Sequence, residues 1–251
     1  MERLDPRMVL GAYAVGVFPM ADHRAAEGVY WVEPKRRAIL PLNGFHLSRS
    51  LRKTIVAEKF RVTADADFAG IIRLCAEAEP DRPETWISEP IEQVFLELHR
   101  QGHAHSIECW QEGRLVGGLY GLALGRAFFG ESMVSRARDA SKVALAWLVA
   151  RLKAGGFTLL DCQFQTDHLA SLGAIEISRT AYLGLLASAV GGAVTGAGAA
   201  AGASGAAALS FPSAASGDFA ALDRGPAPFE TATESGPPSG KRIAQLLMVT
   251  S

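Results

Sequence analysis

Three polar side chains, Glu131, Asp161 and Gln163, have types and spacings that suit chemistry. In Phe129-Gly130-Glu131-Ser132-Met133 a carboxylate stands between two large apolar side chains, and the two-residue period of a strand puts Phe129, Glu131 and Met133 on one face. Such a face reads as the wall of a pocket more than as plain core. Asp161 and Gln163 also share a strand face, roughly 6.5 Å apart, a spacing that suits a polar relay between them or through a shared ligand. A strand end meeting solvent would account for the same residues. A second group, Arg49, Arg52 and Lys53, falls at i, i+3 and i+4 of a helix that Ser48 can cap; three cations on one face suit phosphates as well as a solvated surface. The three cysteines, Cys75, Cys109 and Cys162, are odd in number with no C-x-x-C spacing, which fits unpaired thiols in a reducing cytosol and no zinc site. Alternation turns Cys162 away from Asp161 and Gln163, so packing is its expected role. His103, His105 and His168 lack metal-ligand spacing.

The elements that must position these groups read as strand, crossover helix, strand. Residues 127–133 form the first strand. Asp139 stands at the N-cap of a helix with Ala140, Val143, Ala144, Trp147 and Leu148 at helical spacing, which Gly155-Gly156 stops. The chain returns over 157–164. A crossover of this kind makes the two strands parallel, so the ends carrying Glu131 and Asp161 point the same way. Upstream, 104–110, 115–124 and 127–133 make a three-stranded meander with turns at Glu112-Gly113-Arg114 and Gly125-Arg126. Gly117, Gly118 and Gly121 in its middle strand mark a bulge or a close approach of another backbone or a ligand. Asp5-Pro6 starts a short first helix, Val29 to Val32 is β-prone, Asp65 or Asp67 opens a helix lined by Phe68, Ile71, Ile72 and Cys75, and Ser88 with Pro90 opens another that ends at Gly102.

The chain has 251 residues with 25 Lys and Arg against 26 Asp and Glu, so its net charge of −1 restricts any nucleic-acid contact to a local patch. There is enough chain to bury a sizeable core. No basic stretch followed by an apolar run opens the sequence, so a cytoplasmic protein is expected. Beyond Leu186 the composition shifts to Ala, Gly and Ser, then to a Pro-rich stretch with one short apolar piece from Ile243 to Val249. Such a segment is expected to bury little and to be mobile, and Ala and Gly supply too little transfer energy for a membrane span.

Many ordered blocks resemble the leucyl/phenylalanyl-tRNA-protein transferases of bacteria, from about Tyr13 to Tyr182. They include Tyr13-Ala14-Val15-Gly16-Val17-Phe18-Pro19-Met20, Phe45-His46-Leu47-Ser48-Arg49-Ser50-Leu51, Thr85-Trp86-Ile87, Gly102-His103-Ala104-His105-Ser106-Ile107-Glu108, Phe129-Gly130-Glu131-Ser132-Met133 and Asp161-Cys162-Gln163. The resemblance implies an α+β chain: a small N-terminal domain (1–60), a GNAT-like catalytic domain with a mixed sheet (61–186) and a low-complexity tail (187–251). It implies transfer of Leu, Phe or Met from aminoacyl-tRNA to the N-terminal Lys or Arg of a protein, marking it for degradation in the N-degron pathway, with no cofactor, no metal and a monomeric enzyme. Carried to matching positions, Asp161 polarises Gln163, which orients the attacking amine. Glu131 holds the aminoacyl amine with Phe129 and Met133 as apolar wall, Trp31 and Trp86 bind substrate, and Arg49, Arg52 and Lys53 meet the tRNA acceptor stem. On this reading Asp161 acts in the reaction and not in the fold. The stretch before the first helix is shorter than in many relatives. An acetyl-CoA-dependent N-acetyltransferase is the alternative on such a fold, but Ser135-Arg136-Ala137-Arg138-Asp139-Ala140 lacks the glycine-rich pyrophosphate loop. A non-catalytic tRNA-binding module would leave Glu131, Asp161 and Gln163 without a task.

Overall fold

A computed structural model describes residues 3–77, 84–191, 216–224 and 238–248; most of the polar run between Glu77 and Glu84 and most of the low-complexity tail lie outside these residues. Helix α1 (Pro6–Ala14) starts as its sequence suggests, with Asp5 accepting from the Arg7 N–H and Pro6 at the first helical position. Strands β1 (Phe18–Met20) and β2 (Tyr30–Val32) pair antiparallel in a two-stranded sheet of their own. Then come β3 (Arg36–Ile39) and α2 (Arg49–Val56), whose cap Ser48 accepts from the Leu51 N–H at 3.1 Å. β4 (Arg61–Ala64), α3 (Phe68–Ala76), capped by Asp67, and α4 (Glu89–Arg100) lead to the meander β5 (Ala104–Gln111), β6 (Arg114–Leu124) and β7 (Ala127–Ser135). The crossover helix α5 (Ala140–Ala154) joins β7 to β8 (Leu159–Gln163), followed by α6 (Asp167–Ser171), β9 (Ile175–Ser178) and α7 (Arg179–Ala189). A 3-10 turn (Ala221–Arg224) and α8 (Gly240–Met248) complete the described residues.

Seven strands form one mixed sheet in the order β4-β5-β6-β7-β8-β3-β9. β7 and β8 are parallel, as the crossover requires, and the other neighbours are antiparallel. β3, expected in the small N-terminal domain, lies inside this sheet between β8 and β9. The glycines of β6 mark both a bulge and a close approach: pairing with β7 shifts register between Tyr120 and Gly121, and a Cβ on Gly121 would lie 2.2 Å from the Phe129 carbonyl oxygen. Two apolar cores flank the sheet. One holds α5, α2, α8 and the sheet residues Ile107, Leu119, Phe128 and Leu160; the other holds α1, α3, α4 and α7 with Tyr120, Leu122 and Phe129.

Two details of the crossover and the tail differ from the sequence reading. Asp139 does stand at the start of α5, but in the left-handed region (φ 72°) and without capping through its side chain. The Ser135 hydroxyl accepts from the Ser141 N–H instead, at 3.3 Å. The tail, expected to bury little, supplies buried Phe219, Leu222, Ile243, Ala244 and Leu247. The physical reason lies in α5, which is buried on nearly every side, from Ala140 and Ser141 through Leu152. A helix apolar all round must be covered on both sides. The sheet covers one, and α2, α8 and the 216–224 segment cover the other. Phe219 stacks on His105 (4.1 Å between centroids) and on Phe128 (5.7 Å), while Arg151 in α5 donates to Asp223 and to the Phe219 carbonyl oxygen. Among the described residues no helix is long and apolar enough to cross a membrane.

Docking of the 216–224 segment has a measurable energetic consequence. Truncating Phe219, 7% exposed, to Ala should lower unfolding free energy by about 3 kcal/mol in urea titration. A loss below about 0.5 kcal/mol would mean that the segment does not cover α5 in solution.

Candidate active site

The site originates in a bulge. Opposite β6, Tyr120 pairs with Ser132 and Gly121 with Gly130, so Glu131 is the extra residue of β7 and has no partner across the strand pair. A bulge of this kind re-aims the side chain and reverses the alternation beyond it. Phe129 therefore enters the core on the α1 side, edge-on to Tyr13 at 4.9 Å, whereas Met133 packs on the α5 side. β7 and β8 pair only from Ala127↔Leu159 to Phe129↔Asp161, although both strands continue. Beyond that point a cavity of about 310 Å³ opens between them. Glu131, Met133, Cys162 and Gln163 line it from the two strands, Leu145 and Leu148 from α5, Phe18 and Met20 from β1, and Trp86 and His168 from loop and helix. Its size and mostly apolar lining suit a small ligand with a few fixed polar contacts.

Behind the cavity lies a polar network that the sequence did not reveal. Asp161 is fully buried and accepts from Arg37 Nε at 2.9 and 3.0 Å, Arg37 Nη2 at 2.6 Å, Tyr182 Oη at 2.7 Å and the Gln163 N–H at 2.8 Å. Arg37, itself 1% exposed, also donates to the Gly16 carbonyl oxygen at 3.1 Å and lies between the rings of Phe18 and Tyr182, 4.6 Å from each centroid. Burial works against its charge, but the hydrogen bonds and charge of Asp161 outweigh burial and hold its pKa above the ordinary guanidinium value. Burial and then Asp161 raise the Tyr182 hydroxyl, which stays a donor. Asp161 thus touches the backbone of Gln163 and not its amide side chain. That contact holds Gln163 in the left-handed region, φ 57°, a conformation that costs a residue with a Cβ about 1 kcal/mol. The turn directs the Gln163 Nε2 to Glu131 Oε1 at 2.9 Å.

Glu131 is 7% exposed, and burial pushes its carboxyl up to about 8, with the facing Tyr13 hydroxyl pulling the other way. Its second oxygen, Oε2, and the Tyr13 hydroxyl are both buried and meet no partner at hydrogen-bond geometry, although the two groups lie close enough for each to shift the other's titration. A buried acceptor without a partner, beside a cavity, is suited to a donor brought by a ligand, an ammonium above all.

Of the residues singled out from sequence, Glu131, Met133, Gln163 and Trp86 meet at the cavity. Asp161 lies directly behind them, holding the backbone of Gln163. Phe129 does not line the cavity, because the bulge sends it to the other side of the sheet, where it packs on Tyr13. Trp31 is 37% exposed on β2, opposite Pro19, and is not part of the lining. Arg49, Arg52 and Lys53 are exposed on α2, away from the lining. Cys162 lines the cavity on the α5 side beside Leu160, turned from Asp161 as alternation expects; the left-handed Gln163 is the residue that leaves the alternation, parting from Asp161 to join that lining. Burial and then Asp161 raise the Cys162 thiol, so it stays protonated. Sequence reasoning missed Arg37, Tyr182 and Tyr13. Arg37, the last cation of the Lys35-Arg36-Arg37 run, opens the apolar stretch Ala38-Ile39-Leu40, and that position was its one signal. Among the described residues no three His, Cys, Asp or Glu side chains converge as metal ligands. At the start of α5, Asp139 puts a carboxylate where an acyl-CoA enzyme presents backbone N–H groups to pyrophosphate.

Comparison with known proteins shows the family of the chain. The family model described as leucyl/phenylalanyl-tRNA protein transferase matches residues 39–187, and the model for its N-terminal domain matches residues 2–35. The leucyl/phenylalanyl-tRNA–protein transferase of Rhizorhabdus wittichii is 62% identical over the whole of both chains. Those of Zymomonas mobilis subsp. mobilis and Novosphingobium aromaticivorans are 64% and 59% identical, over 74% of this chain each and 70% and 71% of their own lengths. Among solved structures, that of L-PGS from Bacillus licheniformis aligns with 62% of this chain and 65% of its own, at 13% identity and a TM-score of 0.38, a likeness too weak to bear on the fold.

Two measurements test the network. A carboxyl with a folded pKa near 8 and an ordinary value of 4.5 keeps its proton in the folded state after the unfolded chain has released it. Stability should therefore fall as pH rises from about 4.5 toward 8, by at most about 1.4 kcal/mol per pH unit, and level off above. Glu131→Gln should abolish that slope in urea titrations between pH 5 and 8, and an identical slope in the variant would show that Glu131 ionises freely. Asp161→Asn leaves the buried Arg37 charge without its counter-ion and should cost about 3 to 5 kcal/mol of stability. A cost under 1 kcal/mol would mean that the ion pair carries no structural load.

Proposed function

The chain belongs to the leucyl/phenylalanyl-tRNA–protein transferase family and is an aminoacyltransferase, and from that premise we propose the following division of labour in its site. The cavity between β7 and β8 takes the aminoacyl end of a tRNA charged with Leu, Phe or Met, and the acceptor is a protein or peptide whose N-terminal residue is Arg or Lys. Trp86, Met133 and Leu148 form the wall for the donor side chain. Glu131 holds the donor's α-ammonium through Oε2, the acceptor oxygen left unpartnered. Phe129 serves indirectly, by packing on Tyr13, which faces that carboxyl. Trp31, exposed beside β1, is left for parts of the donor outside the cavity.

An aminoacyl ester is already activated, so the enzyme's task is positioning and charge management. The acceptor amine attacks the ester carbonyl carbon, the new C–N bond forms, and the C–O bond to the tRNA ribose breaks. The amine's surplus proton ends on the departing ribose oxygen. Gln163 orients the amine through its side-chain oxygen while its Nε2 stays on Glu131; an amide is too weak a base to keep the proton. Asp161, held by Arg37 and Tyr182, acts one step removed, by fixing the backbone turn of Gln163. The exposed cations Arg49, Arg52 and Lys53 meet tRNA phosphates, and the product is a protein marked for degradation through the N-degron pathway. The early end of β7–β8 pairing supports a GNAT-like reading of the fold, and the inclusion of β3 in the central sheet favours a small N-terminal unit that ends near residue 35.

The observation that carries this reading is the unpartnered Glu131 oxygen beside an apolar cavity with Gln163 fixed next to it. In the decisive assay the purified chain receives tRNA charged with labelled Leu and a peptide starting with Arg, with acetyl-CoA in a parallel tube. Labelled peptide should form from the tRNA donor, and Gln163→Ala should slow single turnover by a factor of about 10² with donor affinity retained. Acylation in the acetyl-CoA tube alone would overturn the assignment.

A further inference from the structure

Outside both family-model matches lies α8, and its setting gives it a task beyond covering α5. The helix is docked against the end of α2. The Gly240 N–H donates to Glu58 Oε1 at 2.9 Å, and a Cβ at Gly240 would lie 2.1 Å from the Ile55 carbonyl oxygen, so this approach needs glycine. Ile243, Ala244 and Leu247 are buried beneath it. Lys241 then stands on the exposed side, where it lines a groove of about 270 Å³ together with Arg52, Val56 and Gln245. Arg242 follows, half-buried.

Five cations thus gather on two packed helices: Arg49, Arg52 and Lys53 on α2, Lys241 and Arg242 on α8. None of them forms an ion pair among the described residues, although the chain carries 26 acidic side chains against 25 Lys and Arg. Glu58, the acid at this junction, is engaged by the Gly240 N–H. These cations outnumber that one acid, so the face carries a net positive charge, and a polyanion neutralises it by replacing many small ions at once. A protein of net charge −1 offers no global field for RNA, so a local patch must supply it.

We propose that α8 extends the cationic face of α2 into one phosphate-binding surface, with Lys241 contacting the backbone of the tRNA donor beyond its aminoacyl end. The proposal rests on the aminoacyl-tRNA reading above and adds to it a contact from the C-terminal segment. The groove between Arg52 and Lys241 is lined almost entirely by apolar surface and offers little to read a base edge, so the contact is to phosphate and independent of sequence.

The experiment measures binding of labelled tRNA to the full chain across a range of salt concentrations, for the wild type and for Lys241→Glu, Lys241→Arg and the pair Arg52→Ala with Lys53→Ala. Lys241→Glu should weaken tRNA binding about fivefold or more and lower the slope of log K against log salt by about one. Lys241→Arg should restore both, and thermal midpoints should match, since the side chain is exposed. In transfer assays the kcat/KM ratio of aminoacyl-tRNA to aminoacyl-adenosine, which has no acceptor arm, should fall by the same factor as the affinity. Wild-type affinity and salt slope in Lys241→Glu, with the α2 pair weakened, would overturn the contribution of α8 and leave that of α2 standing. If the wild-type chain neither binds tRNA nor transfers from either donor, the underlying reading fails together with this one.

Discussion

The ion pair between Arg37 and Asp161 joins more of the chain than any other polar contact described above. Arg37 comes from β3 and Asp161 from β8, the two strands being antiparallel neighbours. Around them close Gly16 at the end of α1, Phe18 on β1 and Tyr182 on α7. Removing two charges from water costs several kcal/mol each, and such a pair is tolerable only when nearly every donor and acceptor is met. Here the carboxylate accepts from guanidinium, phenol and backbone at once, and two aromatic rings flank the cation. The arrangement cannot be loosened at one point without leaving a buried charge exposed to an apolar surround. It anchors the N-terminal segment to the central sheet and fixes the end of β8 in one geometry.

That fixed strand end shapes the cavity. A glutamine held in the left-handed region is strained, and strain persists where surrounding contacts over-determine it. Asp161 supplies the determining contact from behind, through the Gln163 N–H. In front, the bulge in β7 lifts Glu131 out of the strand's alternation and turns it toward the same amide. Two irregularities on neighbouring parallel strands therefore face each other across the point where pairing stops. A regular pair of strands would have continued the ladder and closed the cavity.

The carboxyl of Glu131 sits in an environment that disfavours its charge, with burial outweighing the Tyr13 hydroxyl and the charge of Arg37. The acid accordingly holds its proton near neutral pH, and Oε2 meets no partner at hydrogen-bond geometry. An ammonium in the cavity would reverse both conditions, drawing the carboxyl into its charged form and giving Oε2 a donor. The same logic extends the proposal to α2 and α8, whose cations form no ion pair among the described residues. In both places the folded chain carries an electrostatic deficit, and on the reading proposed above the substrate meets it.

Much of this was legible in the sequence, and the reason is locality. Caps at Asp5, Ser48 and Asp67, the helical spacing of α5 and the parallel return of β8 all follow from residues within a few turns or one crossover of each other. Two-residue alternation brought Glu131, Asp161 and Gln163 to one end of the sheet, and the ordered motif blocks carried the family. What sequence periodicity could not determine were the places where regularity breaks or where distant segments meet. One extra residue in β7 moved Phe129 out of the cavity, and a bulge leaves no mark on a two-residue pattern. A left-handed Gln163 parted from Asp161 and joined Leu160 and Cys162 at the cavity, because the alternation that paired it with Asp161 ends there. Arg37 and Asp161 are 124 residues apart, so their pairing exists only through the insertion of β3 beside β8. The cover over α5 lay in a segment whose composition argued for little burial, although the all-round apolarity of α5 already required something there. Sequence determined the elements and the chemical types at their ends; tertiary structure decided which side chains those irregularities aim at one another, since aim depends on register, bulge and strand order and none of these is a local property.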